Sequence, residues 1–108
     1  MENSITNIAW DRISLRMKLC WNRFVSDSHI SFYENEIAPL REITPDIPIT
    51  TNFMRLYDGI DYQEFAKHLD LVSWDNYPAW DKGRNFDEAI STAFVHDAFR
   101  SMKDGQPF

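Results

Sequence analysis

Trp74, Asp75, Asn76 and Tyr77 stand in one unbroken run, and Asn52 closes a β-branched run earlier in the chain. Carboxamide and carboxylate groups share hydrogen bonds with the hydroxyls of a sugar, and an indole or phenol ring lies flat against the apolar face of a pyranose. Gathered at the ends of rigid elements, these residue types would hold a polar, ring-shaped ligand. A plainer reading competes with this one. Asn52, Asp75 and Asn76 are also ordinary turn residues, and Trp74 is also ordinary core. Composition alone favours the plainer reading.

Other chemistries are harder to assemble. Hydrolysis of a glycoside with retention needs two carboxyl groups about 5–5.5 Å apart, and only Asp75 among the carboxylates falls at a strand end. Glu34, Glu36, Glu42, Glu64 and Glu88 fall in helical pattern, where a solvated face or a cap accounts for them. His96 and Asp97 are adjacent, and His29 and His68 are isolated, so no zinc-ligand spacing is present and no metal is expected. The single Cys20 excludes an internal disulfide and a cysteine cluster, and reads as a small half-buried apolar residue. The three glycines, Gly59, Gly83 and Gly105, form no glycine-rich loop, so no dinucleotide or other cofactor is expected.

The elements that must position these residues read as follows. Residues 1–20 fit neither a helical nor an alternating pattern and suggest an irregular lead-in. Ile30, Tyr33, Ile37 and Leu40 share one face of a helix from about Arg23 to about Glu42, which Pro39 should kink or restart. Residues 47–53 read as a strand after the Thr44-Pro45-Asp46 turn. Asp61 and Glu64 have capping-box spacing, with Ile60 and Phe65 as the hydrophobic staple of a helix ending near His68. Leu69 to Trp74 has the length of a strand covered on both faces. Asn85 and Glu88 repeat the capping spacing, and Ile90, Phe94, Ala98 and Met102 form the stripe of a third helix capped by Gly105. Gln106-Pro107-Phe108 looks like the start of another strand.

Helix, strand, helix, strand, helix and a strand start make the alternation of parallel βα units. Between a flavodoxin-like sheet and a barrel, the small number of strands favours a partial (β/α)8 (TIM) barrel, because a full one needs about 250 residues and the chain has 108. In such a barrel the strand ends carry the ligand contacts, which returns attention to Asn52 and Asp75.

Four blocks in order resemble the β-galactosidases of glycoside hydrolase family 42. They are residues 21–27 (Trp21-Asn22-Arg23-Phe24), residues 40–54 (ending Thr50-Thr51-Asn52-Phe53-Met54), residues 70–78 (Ser73-Trp74-Asp75-Asn76-Tyr77-Pro78), and His96-Asp97-Ala98-Phe99-Arg100 through Pro107-Phe108. The resemblance covers about residues 21–108 and leaves residues 1–20 as an irregular lead-in of unclear origin. It implies a segment of a catalytic barrel that hydrolyses terminal β-galactosides with retention. It further implies that the segment alone is inactive. The family's acid/base Glu follows an Asn at a strand end, whereas Asn35-Glu36 is mid-helix, and the family's nucleophile lies a few residues beyond a Pro-Phe block similar to Pro107-Phe108. Tyr77 matches a galactose-subsite position, with Asn52, Asp75 and Trp74 as further substrate-binding candidates. The family's metal-binding cysteines have no match in Cys20.

A second expectation is a stand-alone carbohydrate-binding or self-associating module. Two or three parallel strands leave unpaired edges, which predicts a homo-oligomer or a strand-exchanged assembly. The net charge of −6, from 17 acids and 11 bases with no basic block, argues against nucleic acid. No apolar run reaches the roughly 20 residues of a membrane span, and the N-terminus lacks signal-peptide character. A soluble, cytoplasmic protein is the expectation.

Overall fold

A computed structural model describes residues 3–79, 83 and 85–103, with side chains from Ser14 onward. Five elements follow in order: α1 (Asn3–Ile43), β1 (Asn52–Phe53), α2 (Tyr62–Ala66), β2 (Ser73–Trp74) and α3 (Asn85–Ser101). The expected strand at residues 106–108, the Gly105 cap and Trp80 lie outside the described residues.

Residues 3–20 correct the irregular lead-in: they are helical and continuous with the rest of α1. Helix extension adds one hydrogen bond per residue once a nucleus exists, and the chain has no glycine or proline before Pro39. Amphipathic periodicity is missing where, from Ser14 on, the first half of α1 packs against little. Leu15, Met17, Leu19, Trp21 and Phe24 are all at least half exposed. Cys20 is exposed too, not half-buried. Pro39 lies inside the helix without ending it. The far half of α1 is the packed one, burying Ser26, Ile30 and Tyr33 with Ile37 alongside, while Leu40 points to solvent.

The two strands pair in parallel, Asn52 opposite Ser73 and Phe53 opposite Trp74. Both are far shorter than the sequence suggests, for a visible reason. Side chains take over ladder positions below the regular pairs. Asp70 Oδ2 accepts the Ile49 N–H at 2.6 Å, and the Thr50 hydroxyl donates to the Leu71 carbonyl at 2.7 Å. The pairing still runs on past the strand bounds, through Asp70 N–H to Ile49 C=O at 3.1 Å and Asp75 N–H to Phe53 C=O at 2.8 Å.

The cap of α2 is half of the expected box. Asp61 Oδ1 accepts the Glu64 N–H at 3.0 Å. The reciprocal bond is made by another residue, because the Asp61 N–H donates to Ser26 Oγ of α1 at 2.8 Å and Glu64 instead pairs with Lys67. Ser26 thereby ties α1 to the start of α2 and satisfies its own burial. Phe65 is buried and Ile60 packs beside the core, as a staple requires.

On α3 the buried residues are Val95 and Phe99, whereas Ile90 and Phe94 of the expected stripe are exposed. Steps of four residues drift, so three of them rotate the row by about 120°. The residues that stay on the core, Val95, Phe99 and Met102, are spaced by four and then three.

Phe53 is the centre of the core. Its ring stacks on Tyr62 with centroids 4.1 Å apart and planes 9° from parallel, and it meets Phe65 at 5.4 Å and Phe99 at 5.9 Å. Tyr62, whose hydroxyl donates to the Met54 carbonyl at 3.0 Å, fixes the chain just past β1. Burial, opposed by that bond, raises the Tyr62 pKa above 10.0. One strand thus touches α2 and α3 through a single side chain.

The lower end of the strand pair is tied by charge. Asp70 Oδ2 also pairs with Arg41 of α1 at 2.6 Å, and the Lys103 ammonium, past α3, donates to the Leu69 and Asp70 carbonyls. The Ile49 N–H and then the Arg41 guanidinium hold the Asp70 carboxyl below the usual aspartate value of 3.8.

Candidate functional site

Side chains alternate across a strand, and that alternation sorts the candidates. Phe53 and Trp74 face each other in register, and Phe53 is core, so Trp74 lies on the helix side of the ladder. Its ring stacks on Phe99 at 5.7 Å and 7°, and its Nε1–H donates to His96 Nδ1 at 3.3 Å. Asn52, Ser73 and Asp75 belong to the opposite face.

There Asn52 and Asp75 meet. Asn52 Nδ2 donates to Asp75 Oδ1 at 2.8 Å, across the carboxyl ends of neighbouring strands. The contact fixes which way the carboxamide points. A carboxamide and a carboxylate joined by one such bond keep further donor and acceptor capacity, the second N–H and the Oδ1 of Asn52 and the other oxygen of Asp75.

Tyr77 follows, 85% exposed, with its ring open to stacking. A cleft of about 280 Å³ runs beside Asp75 and Tyr77, lined by Met54, Arg55, Trp74, Asp75, Asn76, Tyr77 and Glu88, while Asn52 lines a second hollow shared with α1. The structure therefore brings Asn52 and Asp75 together and sets Tyr77 beside Asp75. It turns most of Trp74 toward α3.

Two residues that line the cleft, Arg55 and Glu88, and one that bonds Trp74, His96, are absent from the sequence-based candidates. Arg55 donates to Ser91 Oγ of α3 and forms one wall. Glu88 sits in the first turn of α3, where its N3 spacing suggests only a cap. His96 receives the indole N–H. The position of Arg55, three residues past Asn52 on the same strand exit, is the one signal the sequence offers.

The remaining histidines are engaged elsewhere. His29 Nδ1 donates to the Val25 carbonyl at 2.8 Å, and His68 pairs with Glu34 at 2.7 Å. Among the described residues, no group of three or more His, Cys, Asp or Glu is placed to hold a metal ion. No helix among them is long and apolar enough to cross a membrane.

Two parallel strands joined through a helix, with helices over one face and polar groups at the carboxyl ends, define an α/β protein of the class that meets its ligands at those ends. The chain belongs to glycoside hydrolase family 42, the β-galactosidase family, whose model matches residues 8–108. The match starts within the first half of α1, so the family region extends well before residue 21.

β-Galactosidase GanA of Bacillus subtilis (strain 168) is 54% identical over 85% of this chain and 15% of its own length. β-Galactosidase GalA of Bacillus licheniformis is 53% identical with the same coverage. The solved structure of the β-galactosidase from Rahnella sp. R3 superposes with a TM-score of 0.77 at 41% identity, over 84% of this chain and 14% of that one. The chain thus spans about 15% of the length of the curated relatives it matches.

Proposed function

We propose that this chain is a substrate-facing segment of the (β/α)8 barrel of a β-galactosidase acting on terminal β-galactosides with retention. The observation that carries the reading is the Asn52–Asp75 hydrogen bond at the carboxyl ends of two parallel strands, with Tyr77 beside it. Asn52 and Asp75 supply directional contacts to ring hydroxyls, and Tyr77 supplies an apolar plane. Trp74 contributes its edge to the cleft and its body to the packing against α3.

A retaining mechanism needs an acid/base carboxyl and a nucleophilic carboxyl flanking the bond to be broken. Asp75 is engaged by Asn52, and Glu88 lies in a helix turn, so neither is assigned either role. The segment by itself binds and orients; the reacting carboxylates belong to other parts of the barrel. Loss of a nucleophile removes the covalent route altogether.

The 108-residue protein incubated with a chromogenic β-galactoside is expected to give no turnover above a blank. Titration of the 15N-labelled protein with galactose is expected to move the amide resonances of Asn52, Asp75 and Tyr77. Turnover abolished by a single Glu→Gln change would refute the assignment of chemistry elsewhere, and unmoved resonances at all three residues would refute the sugar-facing role.

A further inference from the structure

We propose that His96 is a positioning residue for the sugar-facing end of β2, an inference that rests on the reading above. Trp74 ends β2, and Asp75, Asn76 and Tyr77 follow it without a break. Wherever the indole is held, the start of that wall is held with it.

The indole is gripped from α3 at two points of different character. Phe99, itself fully buried, lies parallel to it at 5.7 Å. A stacked pair resists separation and resists in-plane sliding only weakly, since dispersion has little directionality. His96 supplies the direction that is missing. Its Nδ1 accepts the indole N–H at 3.3 Å, and its ring meets the indole at 68° with centroids 5.2 Å apart. An accepting Nδ1 places the imidazole proton on Nε2. The neighbouring Val95 is buried, so the turn of α3 that carries His96 is anchored in the core.

From the other side, β1 holds Asp75 through the Phe53 carbonyl and through Asn52. Asp75 is thus located by two supports: β1 directly, and α3 through Trp74. Removing the acceptor at His96 frees the indole to slide on Phe99 and draws Asp75 away from Asn52.

The test uses the indole and amide N–H resonances of the 15N-labelled protein, with the Trp74 indole identified by its loss in Trp74→Phe. In the unmodified protein the Trp74 indole N–H is expected to exchange with solvent more slowly than that of Trp21, which is 63% exposed. His96→Phe keeps an aromatic ring and removes the acceptor. It is expected to move the Trp74 indole proton upfield, to shift the Asp75 and Tyr77 amides, and to weaken the galactose response about fivefold, the scale of one neutral hydrogen bond.

His96→Gln, whose carboxamide oxygen can accept, is expected to restore all three toward the unmodified values. A packing role predicts the opposite order, with Phe tolerated and Gln not. Equal exchange at Trp74 and Trp21 overturns the proposal even where a variant fails to fold. An indole shift without movement at Asp75 and Tyr77 overturns it as well. A missing galactose response in the unmodified protein refutes the sugar-facing reading alone, and the exchange and amide measurements then decide the role of His96 by themselves.

Discussion

The two ends of one strand pair differ in what their polar groups do. At the lower end, Asp70 spends its carboxylate on the Ile49 N–H and Arg41, and Lys103 covers the adjoining carbonyls. These bonds tie α1, the β1 approach, the β2 approach and the end of α3 to one another. At the upper end, among the described residues, Asn52 and Asp75 are tied to each other and to the strand backbone, and Tyr77 stands in solvent. The same residue types serve closure below and presentation above. Barrels divide labour this way, with stability at the amino ends of the strands and ligand contacts at the carboxyl ends.

The strongest way to break the contrast is to remove what both ends share. Phe53 is the ring on which Tyr62, Phe65 and Phe99 converge, and it is 3% exposed. Phe53→Ala is expected to cost about 3–5 kcal/mol and to collapse both ends together, measured by urea unfolding. A loss below about 1 kcal/mol would mean that the ends are independent, since a surface substitution costs about that much or less.

Next in size is the lower end alone. Asp70→Asn removes the charge that Arg41 and the Ile49 N–H stabilise, and is expected to lower stability at neutral pH while leaving the Asn52 and Tyr77 amide resonances in place. The folded carboxyl is held below 3.8, so its contribution is complete above that value and is lost as pH falls through the folded pKa. The difference in unfolding midpoint between the two proteins should therefore be full at neutral pH and shrink below about pH 4. A difference that grows on acidification would reverse the assignment.

The upper end should show the converse. Tyr77→Ala is expected to change stability by less than about 0.5 kcal/mol, as an exposed side chain away from packing does, yet to abolish the stacking part of the galactose response. Unfolding and titration on one sample read both quantities. Lost stability with unchanged titration would make Tyr77 a structural residue.

How much of this is legible in the sequence follows from how local each cause is. The Asp61 cap depends on residues three apart and is readable, whereas its second half goes to Ser26, far away in the chain, and is not. The strands can be found, but their regular length cannot, because Asp70 and Thr50 intercept ladder groups from the partner strand. Residues 3–20 hide their helix because a helix extended by propagation needs no apolar face. Asn52 and Asp75 are readable as types and not as a pair, since their contact is set by the strand register. His96 falls in one of the resembling blocks, but nothing in the sequence pairs it with Trp74; only the fold brings the two together.

The contrast has one blemish, and it offers the smallest effect. Among the described residues, the Tyr33 hydroxyl is the buried side-chain polar atom without a hydrogen-bond partner. Burial first, and then the charge of Asp70, push its pKa above 10.0, which places the hydroxyl within the electrostatic reach of the lower end. Among the described residues no other buried side-chain polar atom is left without a partner, so a buried donor left unmade is a net cost there. Tyr33→Phe deletes the unsatisfied group and keeps the ring that meets Phe65 edge-on at 5.5 Å. Stability is expected to rise by up to about 1 kcal/mol, part of the desolvation cost of an unmade hydrogen bond, with no change at Asn52, Asp75 or Tyr77. A fall of similar size would show that the hydroxyl has a partner in solution, and the lower end would then be closed without exception.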